Sequence, residues 1–144
     1  MTKIPLLAPA ILALCLTLPA PAQDMAWRTA KQLDLTAVEK LVATATKNQE
    51  PWVRQPSVLA FKAACFLATG NLNTGTLGKT QSLKTRFHGG EEDFTSATIA
   101  VEFKGYADDS KGGERFTLEL KRNSDQSWSI TQATRSVYGR ADAR

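Results

Sequence analysis

The stretch "TSATIAVEFKGY" (95–106), followed by "ERFTLELKR" (114–122), decides the fold. Ala97, Ile99, Val101 and Phe103 alternate with Thr98, Glu102 and Lys104. Phe116, Leu118 and Leu120 alternate in the same way with Arg115, Thr117, Glu119 and Lys121. Successive side chains of a strand point to opposite faces, so a period of two marks two half-buried strands, each with one apolar and one wet face. The turn formers of "ADDSKGG" (107–113) join them as a hairpin. Paired so, Thr98, Glu102, Lys104, Arg115, Thr117, Glu119 and Lys121 share one polar face. Glu102 and Glu119 stand there near Lys104 and Lys121, as partners in cross-strand salt links rather than as an acid–base pair. Reversing both glutamates to lysine should then leave stability within about 1 kcal/mol, because exposed pairs contribute little.

Further strands flank the hairpin. "NSDQ" (123–126) turns into "SWSITQATRSVYG" (127–139), where Trp128 and Ile130 share a face and the alternation blurs after Gln132. A bulge or an edge accounts for that loss. "GKTQSLKTRFH" (78–88) is a weaker strand, with Leu83 and Phe87 on one face.

Before residue 75 the period is 3.6. In "LDLTAVEKLVATATKN" (33–48), Leu35, Val38, Leu41, Val42 and Ala45 fall on one helical face. Thr36 and Glu39 have the spacing of a capping box. A second helix runs from about Pro56 to Ala68, with proline suited to its first turn and Gly70 to its stop. Lys62 is its only charge over 57–68, so most of it should be covered by a sheet. "DMAWRTAKQL" (24–33) reads as a short helix or an ordered arm anchored by Trp27. Helices first and a meander second is the order of an α+β fold. The expectation is two main helices packed on a four-stranded antiparallel sheet, with Phe61, Cys65, Ile99, Val101, Phe103, Phe116, Leu118 and Trp128 in the core.

The N-terminus "MTKIPLLAPAILALCLTLPAPAQ" (1–23) has a basic start at Lys3, an uncharged apolar run over 4–18 and small residues at Ala20 and Ala22. That is the grammar of a cleavable secretory signal over 1–22, leaving a single domain over 23–144. The run is shorter than the roughly 20 residues of a spanning helix. Cys15 follows Leu14 instead of a small residue, which argues against lipidation. The expected location is secreted or periplasmic, without a membrane span after signal removal. Cys65 would then be the one remaining cysteine, unable to form an internal disulfide and placed among apolar neighbours as a small core residue.

Charge and motifs remove several function classes. There are 18 basic and 14 acidic residues, well mixed, for a net charge of +4 that falls by one when Lys3 leaves. A nucleic-acid footprint needs cations gathered on one face. Arg135, Arg140 and Arg144 in the tail "ATRSVYGRADAR" (133–144) read as a solvated end. "NTGTLGKT" (73–80) ends like a phosphate-binding loop, but Asn73 replaces its leading glycine and no buried strand precedes it. No nucleotide or other cofactor is expected. "RFHGGEED" (86–93) holds the single histidine, with Gly89 and Gly90 at the tip of a hairpin. His88, Glu91, Glu92 and Asp93 converge poorly on a turn and lack the second histidine of a zinc-type site, so no metal is assigned. His88 remains the one candidate general base for a small pocket enzyme. No G-x-S-x-G elbow accompanies it.

The segment "ATIAVEFKGY… GGERFTLELKRNSDQSWSI" (97–130), with Asp125, Trp128 and Ile130 opening the last strand, resembles the closing strands of cystatin-like and NTF2-like domains. The resemblance covers about residues 95–138 and implies a curved antiparallel sheet wrapped around a helix. Such families serve as small exported binding modules, assembly subunits, inhibitors and occasionally cavity enzymes. This chain departs from the NTF2-like pattern in having no third helix before the strands and no Asp/Tyr pair to carry over. The resemblance therefore implies a non-catalytic module binding a protein or cell-envelope component through its polar sheet face, with the pocket enzyme using His88 as the alternative.

Overall fold

The four period-two segments form long antiparallel strands in a computed structural model, which describes residues 25–72, 80–90, 93–105 and 111–140. They are β3 (Thr80–Gly89), β4 (Phe94–Lys104), β5 (Lys111–Arg122) and β6 (Trp128–Arg140). Two short strands precede them, β1 (Met25–Trp27) and β2 (Lys31–Gln32), and both pair with β6. The sheet thus has six strands in the order β1-β6-β5-β4-β3, with β2 beside β1 on the same edge.

The α+β arrangement holds, but the four-stranded sheet expected from sequence is corrected to six. The segment around Trp27 is neither helix nor loose arm. It runs along β6, where the Arg28 N–H donates to the Val137 carbonyl at 2.9 Å and the Leu33 N–H to that of Ala133 at 3.0 Å. Strands of two or three residues carry no periodicity, so pairing with β6, and not local pattern, specifies them.

Helix α1 spans Thr36–Lys47 and helix α2 Pro56–Thr69, with a 3-10 turn over Pro51–Arg54 between them. The capping box is not formed. Thr36 is already the first helical residue, and Asp34 accepts hydrogen bonds from the Thr36 N–H (2.9 Å) and hydroxyl (2.7 Å). Those two bonds hold the Asp34 carboxyl below its ordinary range. Gly70 ends α2 at φ 73°, its N–H bonded to the Phe66 carbonyl at 2.7 Å. This is the left-handed stop that glycine permits at no steric cost.

The core lies between the helices and one face of the sheet. Ala60, Ala63, Ala64 and Cys65 on α2 are buried, and their small side chains allow the helix to approach the strands closely. Ile99, Val101, Phe103, Phe116 and Leu118 meet them with no exposed surface, so the strand faces assigned from the alternation are correct. Phe61 is only half-buried, packing against the edge of the core with its ring 6.1 Å from that of Phe103. Lys62 escapes burial by lying over the Trp52 ring at 5.5 Å.

The blurred pattern in β6 is a bulge. Leu120 faces Ile130 while the adjacent Glu119 faces Gln132, leaving Thr131 as the extra residue. Ile130 and Ala133 consequently both point inward although three positions apart. The bulge sets Arg135 on the core side as well, beside Phe116. There it pairs with Glu114, which is 3 % exposed, and lies 6.0 Å from the Phe116 ring. Arg135 is therefore part of the sheet and not of a solvated end. Cys65 is fully buried, and burial pushes its thiol pKa up.

Candidate binding face

Antiparallel pairing of β4 with β5 sets Thr98 opposite Glu119, Ala100 opposite Thr117, Glu102 opposite Arg115 and Ser96 opposite Lys121. Lys104 closes the row opposite Gly113. All seven residues singled out on the polar face thus lie on the side of the sheet turned away from the helices. β3 adds Ser82, Lys84, Arg86 and His88 to this face, and β6 adds Thr134, Ser136 and Tyr138.

Two hydrogen-bonded groups order it. In the first, Arg115 sends Nε and Nη2 to the same Glu102 oxygen, Oε1, each at 2.7 Å. Lys104 Nζ stands 3.4 Å from Oε2, and the Ser82 hydroxyl donates to Oε2 at 3.5 Å. Arg115 also lies over the Trp27 ring at 4.1 Å, and Trp27 packs against Tyr138 with ring centroids 5.3 Å apart. Under this cover Glu102 is only 6 % exposed, so its expected wet position is corrected to a buried one. Burial would raise its pKa, but hydrogen bonding and charge from Arg115, then Lys104, outweigh burial and hold it below the usual range. The small effect expected for reversing Glu102 and Glu119 together fails for this reason.

In the second group, the Thr98 hydroxyl donates to Glu119 Oε2 at 2.9 Å and meets His88 Nε2 at 2.9 Å. With its hydrogen given to Glu119, Thr98 accepts from His88, which fixes the tautomer protonated at Nε2. Farther along, the Gln132 side-chain amide donates to the Gln32 side-chain oxygen Oε1 at 3.0 Å. The result is a broad surface of fixed hydroxyls, amides and paired charges.

The concave sites lie elsewhere. A cleft of about 720 Å³ opens between α1 and the turn joining β5 to β6, lined by Val38, Val42, Trp128 and Ile130 with Glu39 and Asp125 at its rim. Asp125 accepts the Ser127 hydroxyl at 2.6 Å and N–H at 3.0 Å, which lowers its pKa. A shallower cleft of about 430 Å³ lies between α1 and the 3-10 turn, around Leu41, Trp52 and Leu72. His88 lines neither cleft and sits on the opposite side of the sheet.

Among the acids near His88, Asp93 pairs with Arg122 at 3.3 Å, while Glu91 and Glu92 lie outside the described residues, as do 73–79 of the phosphate-loop-like stretch and the N-terminal 1–24. No group of three potential metal ligands occurs among the described residues. No described helix is long and apolar enough to cross a membrane. Sequence reasoning missed Trp27, Ser82 and Tyr138 as members of the face. Trp27 and Tyr138 signalled themselves only as one aromatic residue in each terminal segment, meaningful once β1 is known to pair with β6, and Ser82 gave no signal. No family model, curated protein or solved structure matches the chain.

Proposed function

We propose that this chain is an exported, non-catalytic domain that captures a protein or cell-envelope component through the outer face of its sheet. The observation that carries the reading is the order of that face. Thr98, Glu102, Arg115 and Glu119 are already fixed by hydrogen bonds at 2.7–2.9 Å, so little side-chain freedom would be lost on binding. Fixed charges of both signs give a partner its orientation more than its affinity. Export rests on the three-part N-terminal segment, Lys3 to Ala22. The alternative, a pocket enzyme using His88, has less support: His88 faces away from both clefts, and its neighbours Thr98 and Glu119 lie on an open sheet.

The test reverses Glu119 and Lys121 together (E119K/K121E), sparing the buried Glu102. Capture of a partner from an extract of the native cell envelope should weaken on the order of tenfold, while circular dichroism shows the chain still folded. Unchanged capture, or no partner with the unaltered chain, would reject this face as the working surface. An intact-mass measurement on protein from its native host decides export: an N-terminus near Gln23 supports it, and a retained Lys3 rejects it.

A further inference from the structure

At one edge of the sheet, β1 and β2 cover β6. At the other edge is β3, ten residues long, with no described strand on its outer side. An open edge leaves alternate N–H and C=O groups available for another strand. Of the three large apolar side chains left exposed among the described residues, Leu83 (39 %) and Phe87 (41 %) lie on β3 and Phe94 (39 %) at the start of β4 beside it. They stand on the core side of the sheet: Leu83 is opposite Val101, Phe87 is opposite Ala97, and the Phe94 ring is 4.9 Å from that of Phe87. Phe87 also reaches toward Trp128, at 6.4 Å, so the strip continues the hydrophobic core outward.

On the other face of the same strand, Lys84 and Arg86 are exposed. Each stands opposite an uncharged residue of β4, Ala100 and Thr98 respectively. A strand added beside β3 would place its side chains directly opposite these cations, about 4.5–5.5 Å away between Cβ atoms. The same geometry disfavours a second copy of this chain. Two β3 strands paired about a two-fold axis at Thr85 bring Lys84 opposite Arg86; an axis at Lys84 or Arg86 brings that cation opposite itself. Like charges directly opposite destabilise a ladder.

We infer that β3 is a docking edge for an extended segment of another protein in which Asp or Glu alternates with apolar residues. The acids would face Lys84 and Arg86, and the apolar residues would extend the strip of Leu83, Phe87 and Phe94. Main-chain bonds supply affinity in this mode of recognition, and alternate side chains supply specificity. The inference goes beyond the outer-face reading and does not depend on it, since a strand at β3 touches neither Glu119 nor Lys121.

The experiment titrates the whole chain with a capped peptide alternating Glu and Val, and with its counterpart alternating Lys and Val. Fluorescence anisotropy at low salt should show the Glu peptide binding on the order of tenfold more tightly. The preference should shrink with added salt and invert in the K84E/R86E variant. Amide exchange should slow at every second residue of β3 when the Glu peptide is bound. Equal or absent binding of the two peptides would overturn the proposal, leaving Lys84 and Arg86 only as guards against self-pairing. Protection appearing on β3 without peptide, and growing with protein concentration, would overturn it in favour of a dimer. The peptide swap on the unaltered chain keeps the test decisive even if the variant folds poorly.

Discussion

Replacing Glu102 by Gln keeps the volume of the side chain and removes its charge. The carboxylate is 6 % exposed and takes two Arg115 donors at 2.7 Å on one oxygen and Lys104 near the other. Hydrogen bonds to charged groups contribute about 1.5–3 kcal/mol, and breaking a buried pair costs more because the remaining charge is stranded. Arg115 keeps 34 % of its side chain in water and Lys104 keeps 49 %, so solvent compensates part of that loss. The expected destabilisation is about 1–2 kcal/mol, or roughly 4–8 °C in melting temperature for a domain of this size. Arg115 also stacks on Trp27, so loosening it should speed amide exchange in β1 before the central strands.

The pH dependence has a definite sign. Glu102 has a folded-state pKa below its ordinary value of 4.5. Its contribution is complete above that ordinary value and disappears as pH falls through the depressed one. The gap in melting temperature between the unaltered chain and Glu102→Gln should therefore be full at neutral pH and narrow below about pH 4.5. Asp34 and Asp125 are also depressed, but both remain in the two proteins and cancel in the difference. Melts followed by circular dichroism at several pH values measure this gap. A variant within about 0.5 kcal/mol of the unaltered chain at neutral pH would refute the reasoning. So would a gap that persists unchanged in acid.

Two further outcomes follow from burial and backbone geometry. Cys65, fully buried with a raised thiol pKa, should resist alkylation in the native chain and react once denaturant opens the core; peptide mapping that finds it modified before unfolding would contradict its packing. Gly89→Ala should cost about 1–3 kcal/mol by chemical denaturation, because φ is +130° and a Cβ would meet the Asp93 carbonyl oxygen at 2.7 Å; an unchanged midpoint would show that this turn is built differently.

Which side of a strand a residue takes was legible in the sequence, because the period of two is a local property. Ile99, Val101, Phe103, Phe116 and Leu118 are all inside, and Thr98, Arg115, Thr117 and Glu119 are all on the other face. How well a side is covered was not legible, since that depends on strands distant in the chain. Glu102 is buried by Arg115, itself held beneath Trp27, which arrives from β1. Glu114 falls outside the alternation because it sits on the core side, and the Thr131 bulge brings it an arginine that reads as part of the tail. Helix ends were legible where backbone geometry dictates residue type, as at Pro56 and Gly70. At the start of α1 the N-cap falls on Leu35, which has no side-chain cap, and Asp34 before it takes the Thr36 N–H and hydroxyl that the capping box would have used differently.

The two short strands also decide which edge of the sheet is open. A meander of four strands read from sequence leaves β3 and β6 equally uncovered. Met25–Trp27 and Lys31–Gln32 then pair with β6, and the Trp27–Tyr138 and Arg115–Trp27 contacts lock the first of them down. That leaves β3 as the one long strand with no described strand on its outer side, and it carries exposed Leu83 and Phe87 on one face and Lys84 and Arg86 on the other. Edges that only end a sheet are blunted by shortness, charge or a bulge, and β3 is ten residues long with Leu83 and Phe87 left exposed on its apolar side. Charge on one side alone hinders a second copy of β3 but leaves the edge open to a strand of the opposite charge.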